Sequence, residues 1–255
     1  MLKLMHCEAL TSLRTANNVS TIFMDPPDNI GLKYNKHEDR MEEADYKAFL
    51  KDITYAAAEH APHVYISFNA QWMTDMGVIL SKIPDAWSVR WLIQGFTFGQ
   101  NRKTHFTNNF RPIVMISKAD APVYPEQTRI ESCRMQIGDS RAHSGGKVVG
   151  DVWFPDFLKY ARVTGNSRQR RAWHPTQLHE GLVEDLLLMT TPPDGHVLDP
   201  FAGTGTTLRV CKANGWNCTT SDYDLDYCRA IAQEHDMKQV GDALVWYLET
   251  SDATA

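Results

Sequence analysis

Apolar positions follow two rhythms along this chain. Short, nearly continuous apolar runs occur at Thr21–Met24, His63–Phe68, Val89–Ile93, Phe110–Ser117 and His196–Leu198, and a further strand is read over Trp216–Ser221. Runs of this length without polar alternation predict strands buried on both faces. Between them, Glu42–His60 places Ala44, Ala48, Leu50, Ile53 and Ala57 at helical spacing, and further helices are predicted over Ala70–Lys82, Gln177–Met189, Leu208–Asn214 and Tyr227–His235. Strands alternating with helices predict a parallel α/β sheet. Pro112 lies inside one run and predicts an edge position or an irregular start, because proline donates nothing to a ladder.

The pattern is interrupted in two informative places. Asp25-Pro26-Pro27 stops the first run, so a loop must begin at that strand's carboxyl end. From Lys118 to Gly150 periodicity disappears among Pro122, Pro125, Gly145-Gly146 and scattered Arg, His and Ser. Residues 119–150 therefore read as an insertion within a single domain, flanked by segments 1–118 and 151–255. A length of 255 residues with 43% hydrophobic content supports one sizeable core.

No stretch approaches the roughly 18 apolar residues of a membrane span, and Met1–Leu10 lacks the layout of a signal peptide; a cytoplasmic protein without membrane association is expected. Five cysteines form no CxxC pair, which predicts reduced, packed thiols and no metal cage. The net charge of −5 excludes a global positive field, but it hides segregation. Residues 101–171 carry thirteen Lys or Arg against six Asp or Glu, a net of +7, leaving −12 for the remainder. A localised face for phosphates fits that asymmetry, and so does a solvated basic loop.

Gly203 and Gly205 stand between a predicted strand and a helix, where glycine permits a tight turn and close approach of a ligand. Asp222 ends the next strand, placed to accept hydrogen bonds from ribose hydroxyls. Leu208 occupies the third position of a GxGxxG pattern, and the turn lacks the GKS or GKT ending of a phosphate loop. A cofactor with a ribose and no phosphate suits the turn best.

Asp199–Thr207, reading DPFAGTGTT, resembles the cofactor motif of bacterial and phage DNA amino-methyltransferases. His174-Pro175-Thr176-Gln177 resembles their HPTQ segment, and Asp25-Pro26-Pro27 their DPPY catalytic motif. The order (DPP, basic stretch, HPTQ, glycine turn) resembles the β class, in which a target-recognition region separates the catalytic and cofactor halves. The resemblance runs from Ile22 to His235. It implies a Rossmann-like, S-adenosylmethionine-dependent methyltransferase fold, with a mixed sheet of about seven strands, one of them antiparallel, and 119–150 as the target-recognition insertion. It further implies methyl transfer to adenine N6, with cytosine N4 or a catalytically weak DNA-binding homologue as alternatives. Double-stranded DNA is the implied substrate; a second copy of the chain and a cognate restriction endonuclease, as in restriction-modification, are candidate partners.

By the same resemblance, Asp25, Asp199, Phe201, Gly203, Thr204, Gly205, Thr206 and Asp222 form the cofactor site, with His174 and Thr176 at its methionine end. An exocyclic amino nitrogen is a poor nucleophile, because its lone pair is delocalised into the ring. Asp25 and the Pro26 carbonyl would each accept one N–H and hold the nitrogen tetrahedral, while Pro26 and Pro27 stiffen the loop. The chain departs from the pattern at Asp28, where the family has an aromatic ring that stacks on the extruded base. Tyr34 in the same loop and Trp72 after the next strand are the candidate replacements. Leu178-His179 also replace the family's Lys-Pro after HPTQ. Arg102, Lys103, Arg168, Arg170 and Arg171 are the candidate phosphate contacts, with His105, Asn108 and Asn109 near the first pair.

Overall fold

The computed structural model describes residues 1–35, 39–100, 104, 106–153, 160, 162–165 and 167–248, with backbone alone at 97–100. In chain order its elements are β1 (Leu2–His6), α1 (Ala9–Arg14), β2 (Thr21–Met24), α2 (Glu43–His60), β3 (His63–Ser67), α3 (Met73–Leu80), β4 (Trp87–Gln100) and β5 (Asn108–Lys118). There follow β6 (Arg129–Ile130), α4 (Cys133–Gln136), β7 (Lys147–Val148), β8 (Val152–Trp153), α5 (Glu180–Thr190), β9 (His196–Asp199), α6 (Thr206–Asn214), β10 (Asn217–Asp222), α7 (Leu225–Glu234), β11 (Lys238–Gln239) and β12 (Val245–Leu248). Ten strands form one sheet in the order β11-β12-β1-β10-β9-β2-β3-β5-β4-β8, and β6 pairs with β7 apart from it.

The two central strands, β2 and β3, are buried at every position, because helices cover both faces of the sheet. On one face Leu50 and Ile53 of α2 and Met76 of α3 pack against Ile22, Val64, Ile66 and Val114. On the other, Leu182, Leu208 and Ile231 of α5, α6 and α7 pack against Phe23, Tyr65, Ile113 and Val197. Each such fully buried side chain contributes on the order of 1.5–3 kcal/mol of transfer free energy. Acidic Glu43 and Asp45 sit at the electropositive start of α2. Its stop is set by Pro62, which excludes the residue before it from helical geometry; Ala61 is extended at φ −143°, ψ 152°.

The mixed sheet exceeds the expected seven strands through short edge members. β12 antiparallel to β1, β11 beside it, and β8 beside β4 supply the excess. β1 itself, in a segment where no strand is expected from the sequence, lies parallel to β10. β5 is antiparallel to both its neighbours, so Pro112 is internal to the sheet. It is tolerated because β3 ends at Ser67, opposite Ile113, while Ile93 opposite Pro112 donates its N–H to Asp151 instead. The side of Pro112 that lacks a proton faces the end of β3, where its carbonyl still accepts from Phe68 N–H at 3.2 Å.

From β2 the chain runs through α2 to β3, and from β9 through α6 to β10, in opposite directions along the sheet. Because β2 and β9 are neighbours, their carboxyl ends open the crevice in which open α/β sheets bind ligands. The segment after β5 starts at the opposite end of the sheet. Lys118 N–H donates to Pro62 O, His63 Nε2 donates to Pro122 O at 2.9 Å, and Tyr124 N–H donates to Met189 O at 2.7 Å.

Candidate active site

A cavity of about 1470 Å³ fills the crevice. Of the residues singled out from the sequence, Asp25, Pro26, Pro27, Asp28, Tyr34, His174, Thr176, Asp199, Phe201, Gly203, Thr204, Thr206 and Asp222 line it. Gly205 stands behind the lining, at the amino end of α6. None of residues 119–150 lines the cavity; its outer wall comes from Gln94, Phe96, 106–108, Phe110, Arg111 and 162–164. Arg102, Lys103 and His105 lie outside the described residues.

The loop after β2 is held from three sides. Tyr46 OH donates to Pro27 O at 2.5 Å, and Trp72 Nε1–H donates to Asp28 O at 2.8 Å. Arg111 of β5 donates through Nη2 to Asp25 Oδ1 at 2.6 Å, through Nη1 to Asp28 Oδ2 at 2.9 Å and through Nε to Ser67 Oγ at 2.6 Å. Among the described residues no group donates to Pro26 O. Asp25 and Pro26 both line the cavity, so the loop carries there one carbonyl without a donor among the described residues and one carboxylate with lone pairs in reserve. Burial pushes the Asp25 carboxyl above its ordinary range, Arg111 opposes that, and the neighbouring Asp28 charge adds to it. Trp72 packs 4.7 Å from the Tyr46 ring and supports the loop from behind without lining the cavity.

The glycine turn is built for close approach. Gly203 and Gly205 have φ of +50° and +75°, a region where a side chain is strained. A Cβ on Gly203 would stand 3.4 Å from the His174 ring, and one on Gly205 would stand 3.3 Å from Ile231. Asp222 ties the turn to the next strand: Oδ2 accepts from Gly203 N–H at 2.9 Å and Oδ1 from Asp224 N–H at 2.8 Å. Asp199 accepts from Phe201 N–H at 2.8 Å, and burial raises its carboxyl to about 7. Arg209 fixes the turn from the helix side, donating to Thr204 O and Glu180 Oε1, both at 2.6 Å.

The His174–Gln177 segment closes over this turn. His174 Nδ1–H donates to Thr176 O at 2.5 Å, which fixes the tautomer and leaves Nε2 an acceptor. Burial lowers the imidazole to about 4, so it is neutral at pH 7. Its ring sits 4.7 Å from Tyr227 and 5.5 Å from Tyr34. The loop that carries Tyr34 is clamped at its base by Asp39, whose two oxygens accept from Asn29 N–H and Ile30 N–H at 2.8 and 3.2 Å. At its far end Asn35 donates to Tyr227 OH and Asp226 Oδ2, both at 3.0 Å. The loop thus links the segment after β2 to α7. Tyr34 belongs to the His174 side of the cavity.

The basic cluster is divided by its contacts. Arg170 donates to the Arg171 and His174 carbonyls at 2.7 and 2.5 Å, and Arg171 pairs with Glu234, its Nε 2.9 Å from Oε2. Both hold the His174 segment in place. Arg168 lies in the turn before them and does not line the cavity.

The sequence profile of the N6/N4 DNA methylases matches residues 19–234. The chain belongs to the N6/N4 DNA methylase family. It is 27% identical over 229 residues to the DNA adenine methyltransferase YhdJ of Escherichia coli K12, covering 83% of this chain and 75% of that protein. It is 24% identical to the type II methyltransferase M.HpaI of Haemophilus parainfluenzae, over 77% of this chain and 61% of the other. In fold it is similar to the M1.HpyAVI complex with S-adenosylmethionine, at TM-score 0.64 and 16% identity, over 92% of this chain and all 100% of that one. The cytosine-N4-specific PvuII methyltransferase superposes at TM-score 0.62 and 16% identity, over 90% and 84% of the two chains.

As in the family, the methyl donor of this DNA methylase is S-adenosylmethionine. The residues present suit it: a glycine turn in left-handed geometry that brings Gly203 to the cavity wall, a carboxylate anchored beside the turn, and a neutral, buried imidazole. Among the described residues no cluster of His, Cys, Asp or Glu could hold a metal ion. No helix among them is long and apolar enough to cross a membrane. Reasoning from the sequence missed Arg111 and Arg209, because each acts through partners 83 and 86 or 29 residues away. An arginine inside the predicted strand Phe110–Ser117 was the one available sign for Arg111, since a buried strand rarely keeps such a charge unpaired.

Proposed function

We propose that this DNA methylase transfers a methyl group to adenine N6 in double-stranded DNA. The observation that carries the reading is the free Pro26 carbonyl beside the Asp25 carboxylate, while the Pro27 and Asp28 carbonyls are occupied by Tyr46 and Trp72. Two acceptors side by side match the two N–H groups of an exocyclic amine. Holding both N–H groups turns the nitrogen lone pair away from ring conjugation and toward the cofactor side of the cavity. Bound S-adenosylmethionine supplies an electrophilic methyl carbon on a sulfonium. Asp25 stabilises the positive charge that develops on nitrogen, and the surplus proton leaves after transfer, so no strong base is needed.

An aspartate at the head of the DPP loop and the likeness to an adenine methyltransferase over 83% of the chain support adenine over cytosine N4. We place Asp222 on the cofactor ribose, and His174 and Thr176 at its methionine end. Phosphate contact belongs to Arg168 and to the basic residues at 101–105. The test is transfer of labelled methyl from S-adenosylmethionine to unmodified duplex DNA, followed by nucleoside analysis. N6-methyladenine is expected, with Asp25→Ala about 10²- to 10³-fold slower and still folded. N4-methylcytosine would reassign the acceptor, and absence of any label would overturn the reading.

A further inference from the structure

We propose that Gln94 and Phe96 of β4 form the subsite that receives the target base, Gln94 bonding to its edge and Phe96 covering its face. The proposal rests on the DNA amino-methylation reading and names the part of the site that Asp28 leaves without an aromatic ring.

Gln94 stands opposite Arg111 on one side and Trp153 on the other. Side chains paired across a ladder share a face of the sheet and lie about 5 Å apart at Cβ. The Gln94 amide is therefore next to the guanidinium that grips Asp25. It is only 2% exposed and lines the cavity, yet its Oε1 has no hydrogen-bond partner among the described residues. Trp153, 3% exposed, has an equally orphaned Nε1–H at the same rung. An acceptor and a donor, both buried and both unpaired in adjacent positions, are complementary. Joining them satisfies both and turns the Gln94 Nε2–H group toward the cavity as a donor.

A donor beside Asp25 reads a specific edge. Adenine and cytosine each carry a ring nitrogen acceptor next to the carbon that bears the amino group. With the amine on Asp25 and Pro26 O, that ring nitrogen takes the Gln94 N–H. Thymine presents a ring N–H there and would confront donor with donor, leaving both unpaired.

Phe96 also lines the cavity, and the planar Arg162 guanidinium lies over its ring, 5.1 Å from the centroid. The ring face is thus offered to a flat group inside the cavity, not packed in the core. A base exchanging with Arg162 on that face gains the stacking that the family takes from the position of Asp28.

The experiment first maps the site that the wild-type enzyme labels in genomic DNA from a methylation-deficient bacterium. Binding is then measured on two duplexes carrying that site, one intact and one with the target base removed to leave an abasic position. Phe96→Ala and Gln94→Leu are expected to weaken binding to the intact duplex by about 10-fold or more, and binding to the abasic duplex by less than about 2-fold. Phe96→Trp should retain both affinities, and Gln94→Leu should lower kcat/KM for DNA about 10- to 100-fold with S-adenosylmethionine affinity unchanged. Equal losses on both duplexes, or full activity in both variants, would overturn the subsite while leaving methyl transfer intact. A wild-type enzyme that labels no DNA overturns the underlying reading first, and the subsite with it.

Discussion

Asp28 pairs with Arg111 at 2.9 Å, and the same guanidinium holds Asp25 at 2.6 Å. One cation thus serves two carboxylates at the end of β2. The arrangement explains how an aspartate is accommodated where the family has an aromatic ring: it adds a negative charge next to Asp25 and is held by the charge already there. The consequence is a raised Asp25 carboxyl, driven first by burial and reinforced by Asp28. In the proposed mechanism the ionised form is the acceptor, so kcat should fall as pH drops through that raised value. Asp28→Asn removes the like charge and leaves Arg111 to Asp25 alone. The acid limb of the kcat–pH profile should then move to lower pH; a limb that stays in place or moves up would refute the coupling.

Arg111→Met leaves two largely buried carboxylates, 25% and 13% exposed, without their cation. Removing one partner of a buried pair typically costs about 3–5 kcal/mol, and the residual exposure places this case at the lower end, about 3 kcal/mol. Asp28→Asn in the same chain should recover part of that loss. A double-mutant cycle by urea unfolding measures the coupling, and strictly additive effects would show that Arg111 and Asp28 do not act as a unit.

How much of this was legible in the sequence depends on the range of the interactions. Ile22, Val64, Leu50 and Ile53 announce their strands and helix by local periodicity, and those elements stand where the pattern placed them. Asp25, Gly203 and Asp222 converge because motifs at strand ends are brought together by a parallel sheet, a consequence of fold class alone. β1 and β12 escaped notice because their short runs mix buried with only partly buried positions, Lys3 and Met5 among the latter. The Arg111–Asp25–Asp28 cluster, the orphaned Gln94 amide and the division of Arg170 and Arg171 from the cavity depend on register between distant segments. No local pattern encodes that.

The loop between Asn29 and Met41 should govern cofactor release. Its outer end is fastened to α7 by Asn35, through Asp226 and Tyr227, next to the His174 ring. Asn35→Ala combined with Tyr227→Phe removes both hydrogen bonds. At roughly 0.5–1.5 kcal/mol for each bond, and near the low end because Asn35 itself is exposed, dissociation of S-adenosylmethionine should quicken about 5-fold. Stopped-flow displacement measures it directly. An unchanged off-rate would mean that the loop does not restrain the ligand.

Asp199 offers a stability test that does not depend on activity. Its carboxyl is 3% exposed and raised by burial to about 7 from an ordinary 3.8, against hydrogen bonds from Phe201 N–H and Thr207 that favour the charged form. A carboxyl raised in the folded state favours folding in its protonated form. That contribution is complete below the ordinary value near 3.8 and is lost as pH climbs through about 7. Asparagine keeps an oxygen to accept from Phe201 N–H and cannot ionise. Asp199→Asn should therefore gain stability relative to wild type as pH rises from 4 to 8, with most of the change between about 4 and 7. Asp25 is present in both proteins, and because its charge is a lesser cause of the Asp199 shift than burial, its own contribution largely cancels in the difference. Thermal melting across that range decides the matter: diverging Tm curves are expected, and parallel curves would mean that Asp199 ionises at its ordinary pH in the folded protein.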